Sequence, residues 1–255
     1  MLRQAVADNR LVYHIQPIVT LPQRRPHGYD LLPRLMLEDG ELADSVDFLP
    51  RKGGQDVLRH IEALGLLEAI TVGRRARTSG QVAQLYVPLS RATLGETAAS
   101  EQLLASLEAN RAMAASISFA LTHADWLDLT VGERAIVDAM VKKGTGFSLT
   151  RVKTLRVDVA ELADRGVRSL RIDAARFIDE PEALTDFHAG DIASYLSRFG
   201  VALLATGISG ENQIVELLED GVTLVQGPHI SSPGPIRPDL MSDPRPFPTL
   251  RRAEV

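Results

Sequence analysis

The chain contains no cysteine, which excludes disulfides, Fe–S clusters and thiolate zinc sites and suits a reducing cytoplasm. It has no apolar run near the ~20 residues that cross a bilayer, and no charged-then-apolar leader pattern. The expectation is a cytoplasmic segment with no membrane contact of its own. Because the chain opens almost directly on a helical segment and a strand, as an excised domain would, a tether to the membrane or cell pole upstream of Met1 stays open. A basic excess is also missing: 28 Lys and Arg stand against 33 Asp and Glu, a net charge of −5. No overall attraction to nucleic acid or to an anionic membrane follows. A basic cluster, Arg74, Arg75 and Arg77, closes a helical stretch where cations complement the helix dipole. The six histidines, at 14, 27, 60, 123, 188 and 229, show no metal-ligand spacing. His14 reads as a half-buried strand filler and His123 as a surface or cap residue.

What is present is a globular mix, 45% hydrophobic and 24% charged over 255 residues, a length that suits one α/β barrel. Apolar β-rich stretches alternate with amphipathic helical ones. The strand candidates are Leu11–Ile18, Tyr29–Met36, Leu85–Leu89, Ile117–Thr122, Phe147–Val152, Ser169–Asp173, Ala202–Thr206 and Leu224–Gln226. A set of eight favours a TIM-like (β/α)8 barrel over an open sheet. The gap between the first two, with Pro22, Pro26 and Gly28 as turn formers, is too short for a helical crossover, so the first strand should pair antiparallel with the second. Helices are expected over Gln55–Arg77, Glu101–Arg111, Gly132–Lys143, Val159–Arg165, Ala183–Phe199 and Asn212–Glu219. Gly144, Gly166, Gly200 and Gly221 each follow one of them, where a left-handed residue ends a helix. The barrel is expected over residues 1–240 and a tail over 241–255. Six prolines between Pro233 and Pro248 exclude a helix or inner strand there.

Residues at the C-terminal ends of barrel strands are the ones to ask for chemistry. Tyr13-His14-Ile15-Gln16-Pro17-Ile18-Val19 is similar to the YQPIV opening of EAL domains, and Gly28-Tyr29-Asp30-Leu31-Leu32-Pro33-Arg34 to the GYEALLR stretch that names that family. Gly146-Phe147-Ser148-Leu149 followed by Leu170-Arg171-Ile172-Asp173 resembles GFSLDDFGTG leading to LKID. Ala205-Thr206-Gly207-Ile208-Ser209 resembles AEGVE, and Val225-Gln226-Gly227 with Ser232-Pro233 resembles VQGYYFSRP.

For an active member the resemblance implies hydrolysis of cyclic di-GMP by a water activated between two divalent cations, which need hard oxygen ligands. This chain departs from that pattern position by position. Asp30 replaces the EAL glutamate and Pro88 the asparagine of the NLS strand. Ala120 and His123 replace the glutamates of EITE, Thr150 and Arg151 the paired aspartates, Arg171 the lysine, and Thr206 and Ser209 the glutamates of AEGVE. The expectation is therefore no enzyme and no required cofactor.

The family's ligand-holding positions survive better. The set implied by the resemblance is Gln16, Asp30, Leu31, Leu32, Arg34, Gln226, Gly227, Pro228 and Pro233, with Arg151 as a counter-charge for a second phosphate. Arg34 would grip a phosphate through paired hydrogen bonds. Plain alternatives stand beside these roles: Arg34 as a locally paired charge, Gln16 and Gln226 as partners of buried backbone groups, and Asp173 as a helix cap. The reading is a cyclic-di-GMP receptor coupled to an unidentified protein partner. The losses resemble those of degenerate members that position flagella, which would make that partner flagellar or polar. A nucleotide-free scaffold and a residual phosphodiesterase are the alternatives.

Overall fold

Strand β1 (Leu11–Thr20) turns through residues 21–24 into β2 (Arg25–Met36), and the two pair antiparallel from Leu11↔Leu35 to Thr20↔Arg25. Helix Leu2–Ala7 precedes this hairpin in the computed structural model, which describes residues 2–8, 10–49, 53–80 and 83–236. The remaining strands are β3 (Leu42–Ala43), β4 (Gln84–Pro88), β5 (Ile117–Thr122), β6 (Gly146–Thr150), β7 (Val167–Asp173), β8 (Ala202–Thr206), β9 (Leu224–Gln226) and β10 (Gly234–Pro235). From β2 the sheet runs parallel through β4, β5, β6, β7, β8 and β9. β1 then joins β9 to β2 and closes an eight-stranded barrel in which β1 alone runs against its neighbours. The closure is short on one side. Among the described residues β1 meets β9 at Val19↔Val225 and Thr20↔Leu224, and β10 at His14↔Pro235 and Ile15↔Gly234.

Alternation along the strands sorts side chains between two environments. The outward set, with Leu31, Leu85, Val87, Phe119, Leu121, Phe147, Leu149, Leu170 and Ile172, is buried under the helices and forms the main core. Each such residue contributes roughly 1.5–3 kcal/mol by leaving water. Helix Gln55–Thr78 covers the β1, β2 and β4 side because its buried positions, Ile61, Leu66, Ala69, Ile70 and Ala76, recur at helical spacing. The inward set is different. Ile18, Tyr86, Leu204 and Leu224 make a small apolar floor, while Ser118, Ser148, Ser169, Arg171 and Gln226 are buried polar groups. Barrel interiors are ordinarily filled by branched aliphatic residues; this polar lining positions the site.

Several expectations are corrected. Pro26 and Gly28 are strand residues, not turn formers; a Cβ on Gly28 would meet the Gln84 carbonyl oxygen at 2.5 Å. The expected helix Ala183–Phe199 is two helices, Pro181–Leu184 and Ala189–Ser197. The break is built by side chains: Thr185 Oγ1 accepts from the Phe187 amide, and His188 Nδ1 accepts from the Gly190 amide. Residue 123 is no surface cap; His123 is 5% exposed, with an unpartnered Nε2. Gly144, Gly166, Gly200 and Gly221 all have positive φ, as their positions after helices require. Arg74 donates to Asn110 Oδ1 and Arg77 to the Ala112 carbonyl, so the basic cluster ties this helix to its neighbour. The expected boundary at residue 240 and the tail 241–255 lie outside the described residues.

Candidate functional site

The parity that puts Asp30 inside the barrel also puts Gln16, Pro88, Ala120, Ser148, Thr150, Arg171, Asp173, Thr206 and Gln226 there, Ser148 sharing β6 with Thr150 and Arg171 sharing β7 with Asp173. At the centre, Asp30 Oδ2 accepts from Arg171 Nη1 at 2.6 Å and from Gln226 Nε2 at 2.9 Å. Arg171 Nε donates to Ser148 Oγ at 2.7 Å, and Ser169 Oγ donates to the same oxygen at 2.7 Å. The guanidinium carbon lies 4.6 Å from the centroid of the Tyr86 ring, a cation–π contact. Burial pushes the Tyr86 phenol up to about 12, so it stays protonated near neutrality. The side chains of Arg171 and Asp30 are 5% and 14% exposed. Two polar atoms of this pair, Asp30 Oδ1 and Arg171 Nη2, are buried without a partner.

The other inward positions are nearly silent. Thr150 Oγ1 donates to the Leu121 carbonyl and Thr206 Oγ1 to the Ile172 carbonyl. Pro88 and Ala120 carry no polar side-chain atom. Asp173 caps helix Ala174–Asp179 by accepting from the Arg176 amide at 3.0 Å. Among the described residues no group of three or more His, Asp or Glu is placed to hold a metal ion. The donor set does not fit a pair of divalent cations, which require several convergent oxygen ligands.

The expected ligand contacts divide. Gln16 Nε2 donates to the Ser231 carbonyl at 2.9 Å, so this side chain pins the loop after β9. Arg34, on the inward face of β2, forms an ion pair with Asp44. Its charge, after burial, helps hold the half-buried His14 imidazole below its usual pKa. Leu32 shares that inward face, whereas Leu31 is fully buried in the outer core and offers the interior only its backbone. Arg151 is exposed, at φ 53, just past β6. Pro228 is exposed and Pro233 half-buried on the loop that Gln16 holds.

Gly227 is fixed by a close approach: its Cβ would lie 2.2 Å from the Ile208 amide nitrogen. The loop is laced there by Ile208 N to the Gln226 carbonyl and His229 N to the Ile208 carbonyl. Beyond it, Glu211 accepts from Arg24 Nη2 at 2.5 Å and pairs with His229 Nε2 at 2.9 Å. Arg171, Ser148 and Tyr86 are the site residues that motif reasoning did not assemble. The available signal was parity, since all three fall on inward positions of their strands.

A family model described as EAL domain matches residues 1–233. The signaling protein YkoW of Bacillus subtilis (strain 168) is 23% identical over 254 residues, an alignment covering 92% of this chain and 30% of YkoW. The chain thus spans about a third of that relative's length. Among solved structures, the PaMucR phosphodiesterase in complex with c-di-GMP superposes with a TM-score of 0.77 at 20% identity, covering 92% of this chain and 96% of that one. The FimX EAL domain of Xanthomonas citri in complex with c-diGMP gives 0.74 at 17% identity, covering 92% of each.

Proposed function

The chain belongs to the EAL domain family, and from that premise we propose that it is a non-catalytic receptor for cyclic di-GMP that couples nucleotide binding to a protein partner. One observation carries the reading: the Asp30 carboxylate is already engaged by Arg171 and Gln226, and the remaining inward strand ends offer proline, alanine, threonine and Asp173, whose carboxylate caps the helix that follows. A site lacking convergent carboxylates has nothing with which to clamp attacking and leaving oxygens between cations. Binding needs less. Gln16, Asp30, Leu32, Arg34, Gln226, the backbone at Leu31 and Gly227, and the walls at Pro228 and Pro233 form the nucleotide contact set, with Arg151 as an outer cation. No divalent ion is required in this reading. The partner is flagellar or polar, and the location is cytoplasmic with any tether outside this segment; no helix among the described residues is long and apolar enough to cross a membrane.

The alternative is a nucleotide-free scaffold. It is favoured by the way Gln16, Arg34 and Gln226 each already have an internal partner. Calorimetry with cyclic di-GMP separates the two, and chromatography of the same mixture with magnesium reads out hydrolysis. Saturable heat without linear dinucleotide supports the receptor; no heat favours the scaffold; product above a no-protein control restores the phosphodiesterase.

A further inference from the structure

We propose that Arg171 is a resident cation of the site: it is the fixed counter-charge of Asp30, and its second terminal nitrogen is the donor for a phosphate oxygen of an anionic nucleotide. The nucleotide half rests on the receptor reading above; the counter-charge half does not.

The guanidinium is held on three sides. Asp30 Oδ2 takes Nη1 at 2.6 Å, Ser148 Oγ takes Nε at 2.7 Å, and the Tyr86 ring lies 4.6 Å from the guanidinium carbon. Ser148 is itself fixed by Ser169. This leaves Nη2, buried and without a partner on a side chain only 5% exposed. A buried donor left unsatisfied is costly, and pairing it is correspondingly favourable. A phosphate oxygen is the acceptor a guanidinium binds best. The charge balance agrees: Asp30 and Arg171 cancel, so the anionic ligand meets no net negative centre. A divalent cation has the opposite problem. It would have to displace the guanidinium from Asp30 and then find further oxygen ligands among Pro88, Ala120, Thr150, Thr206 and Asp173, which is turned to capping the helix after β7. The guanidinium is covalently part of the chain, so the site's positive charge does not vary with metal supply.

The test measures cyclic-di-GMP affinity by calorimetry in EDTA and in excess magnesium, for the unaltered chain, Arg171→Met and Arg171→Met/Asp30→Asn. Urea unfolding is followed on the same proteins. The unaltered chain is expected to bind equally in both buffers within about twofold, and Arg171→Met to lose at least about tenfold in both. Arg171→Met is expected to lower the urea midpoint, and adding Asp30→Asn to recover most of that loss without recovering affinity. Magnesium tightening binding by about tenfold, or Arg171→Met binding like the unaltered chain, overturns the nucleotide half. If the unaltered chain binds no nucleotide at all, the receptor reading and the nucleotide half fail together. The counter-charge half is then judged on unfolding alone: an unchanged midpoint in Arg171→Met, or no recovery in the double variant, overturns it.

Discussion

Gly227 lies against Ile208 so closely that an added Cβ would stand 2.2 Å from the Ile208 nitrogen and 2.4 Å from its oxygen. Backbone atoms cannot swing aside as a side-chain tip can. Gly227→Ala is therefore expected to cost about 2–3 kcal/mol in urea unfolding, with weaker cyclic-di-GMP binding as the loop carrying Pro228 and Pro233 is displaced. An unaltered midpoint would mean that the two loops slide apart freely.

Glu62 on helix Gln55–Thr78 is buried, and burial raises its carboxyl from 4.5 to about 7 even though Thr93 donates to it at 2.5 Å. The folded chain thus holds this proton more tightly than the unfolded chain. The contribution of this group is fully present below pH 4.5 and is lost as pH rises from 4.5 to 7, by roughly 3 kcal/mol. Glu62→Gln should flatten that window. Unfolding at pH 5 and pH 8 decides it; a variant with the parent's pH dependence would refute the assignment.

Arg34 has its charge taken up by Asp44. In the receptor reading this ion pair competes with the nucleotide, so Asp44→Ala should tighten cyclic-di-GMP binding by about three- to tenfold, and Arg34→Ala should weaken it by about tenfold or more. Calorimetry on both variants is the check. If neither moves the affinity, Arg34 is a structural charge.

Thr130 and Glu133 form a reciprocal capping box at the start of helix Val131–Lys142, and Glu133 also accepts from Arg91 at 3.1 Å. Thr130→Ala is expected to cost about 1 kcal/mol. Glu133→Ala removes both contacts, and with Arg91 partly solvated its cost should be about 1–2 kcal/mol. Thermal unfolding of the two variants ranks them, and the reverse order would show that the ion pair contributes little.

Strand positions and the antiparallel first pair were legible because period-two alternation and a short proline-bearing gap are local signals. The helix-ending glycines were legible for the same reason. The split at residues 185–188 was not, since the apolar pattern runs on through Phe187 and the break depends on hydroxyl and imidazole bonds to the backbone. Asp30 and Arg171 were each visible as departures from a family pattern. Their pairing was not, because it joins side chains 141 positions apart and only the closed barrel brings β2 and β7 to one interior. Asp44 carried no signature: it becomes Arg34's partner only because β3 folds back on the end of β2.

The short join of β1 to β9 and β10 has a mechanical consequence. Between the two-residue ladders at 14–15 and 19–20, β1 is held on that side by the Gln16 bond to Ser231. Amides there should open at lower free energy than those of the continuous β5–β6–β7 ladders. A molecule resting on both Gln16 and Gln226 acts as a clasp across that gap. Its arrival would be felt as slowed hydrogen exchange at the stave where the barrel is fastened last, so the same strip of backbone serves as hinge and as gauge.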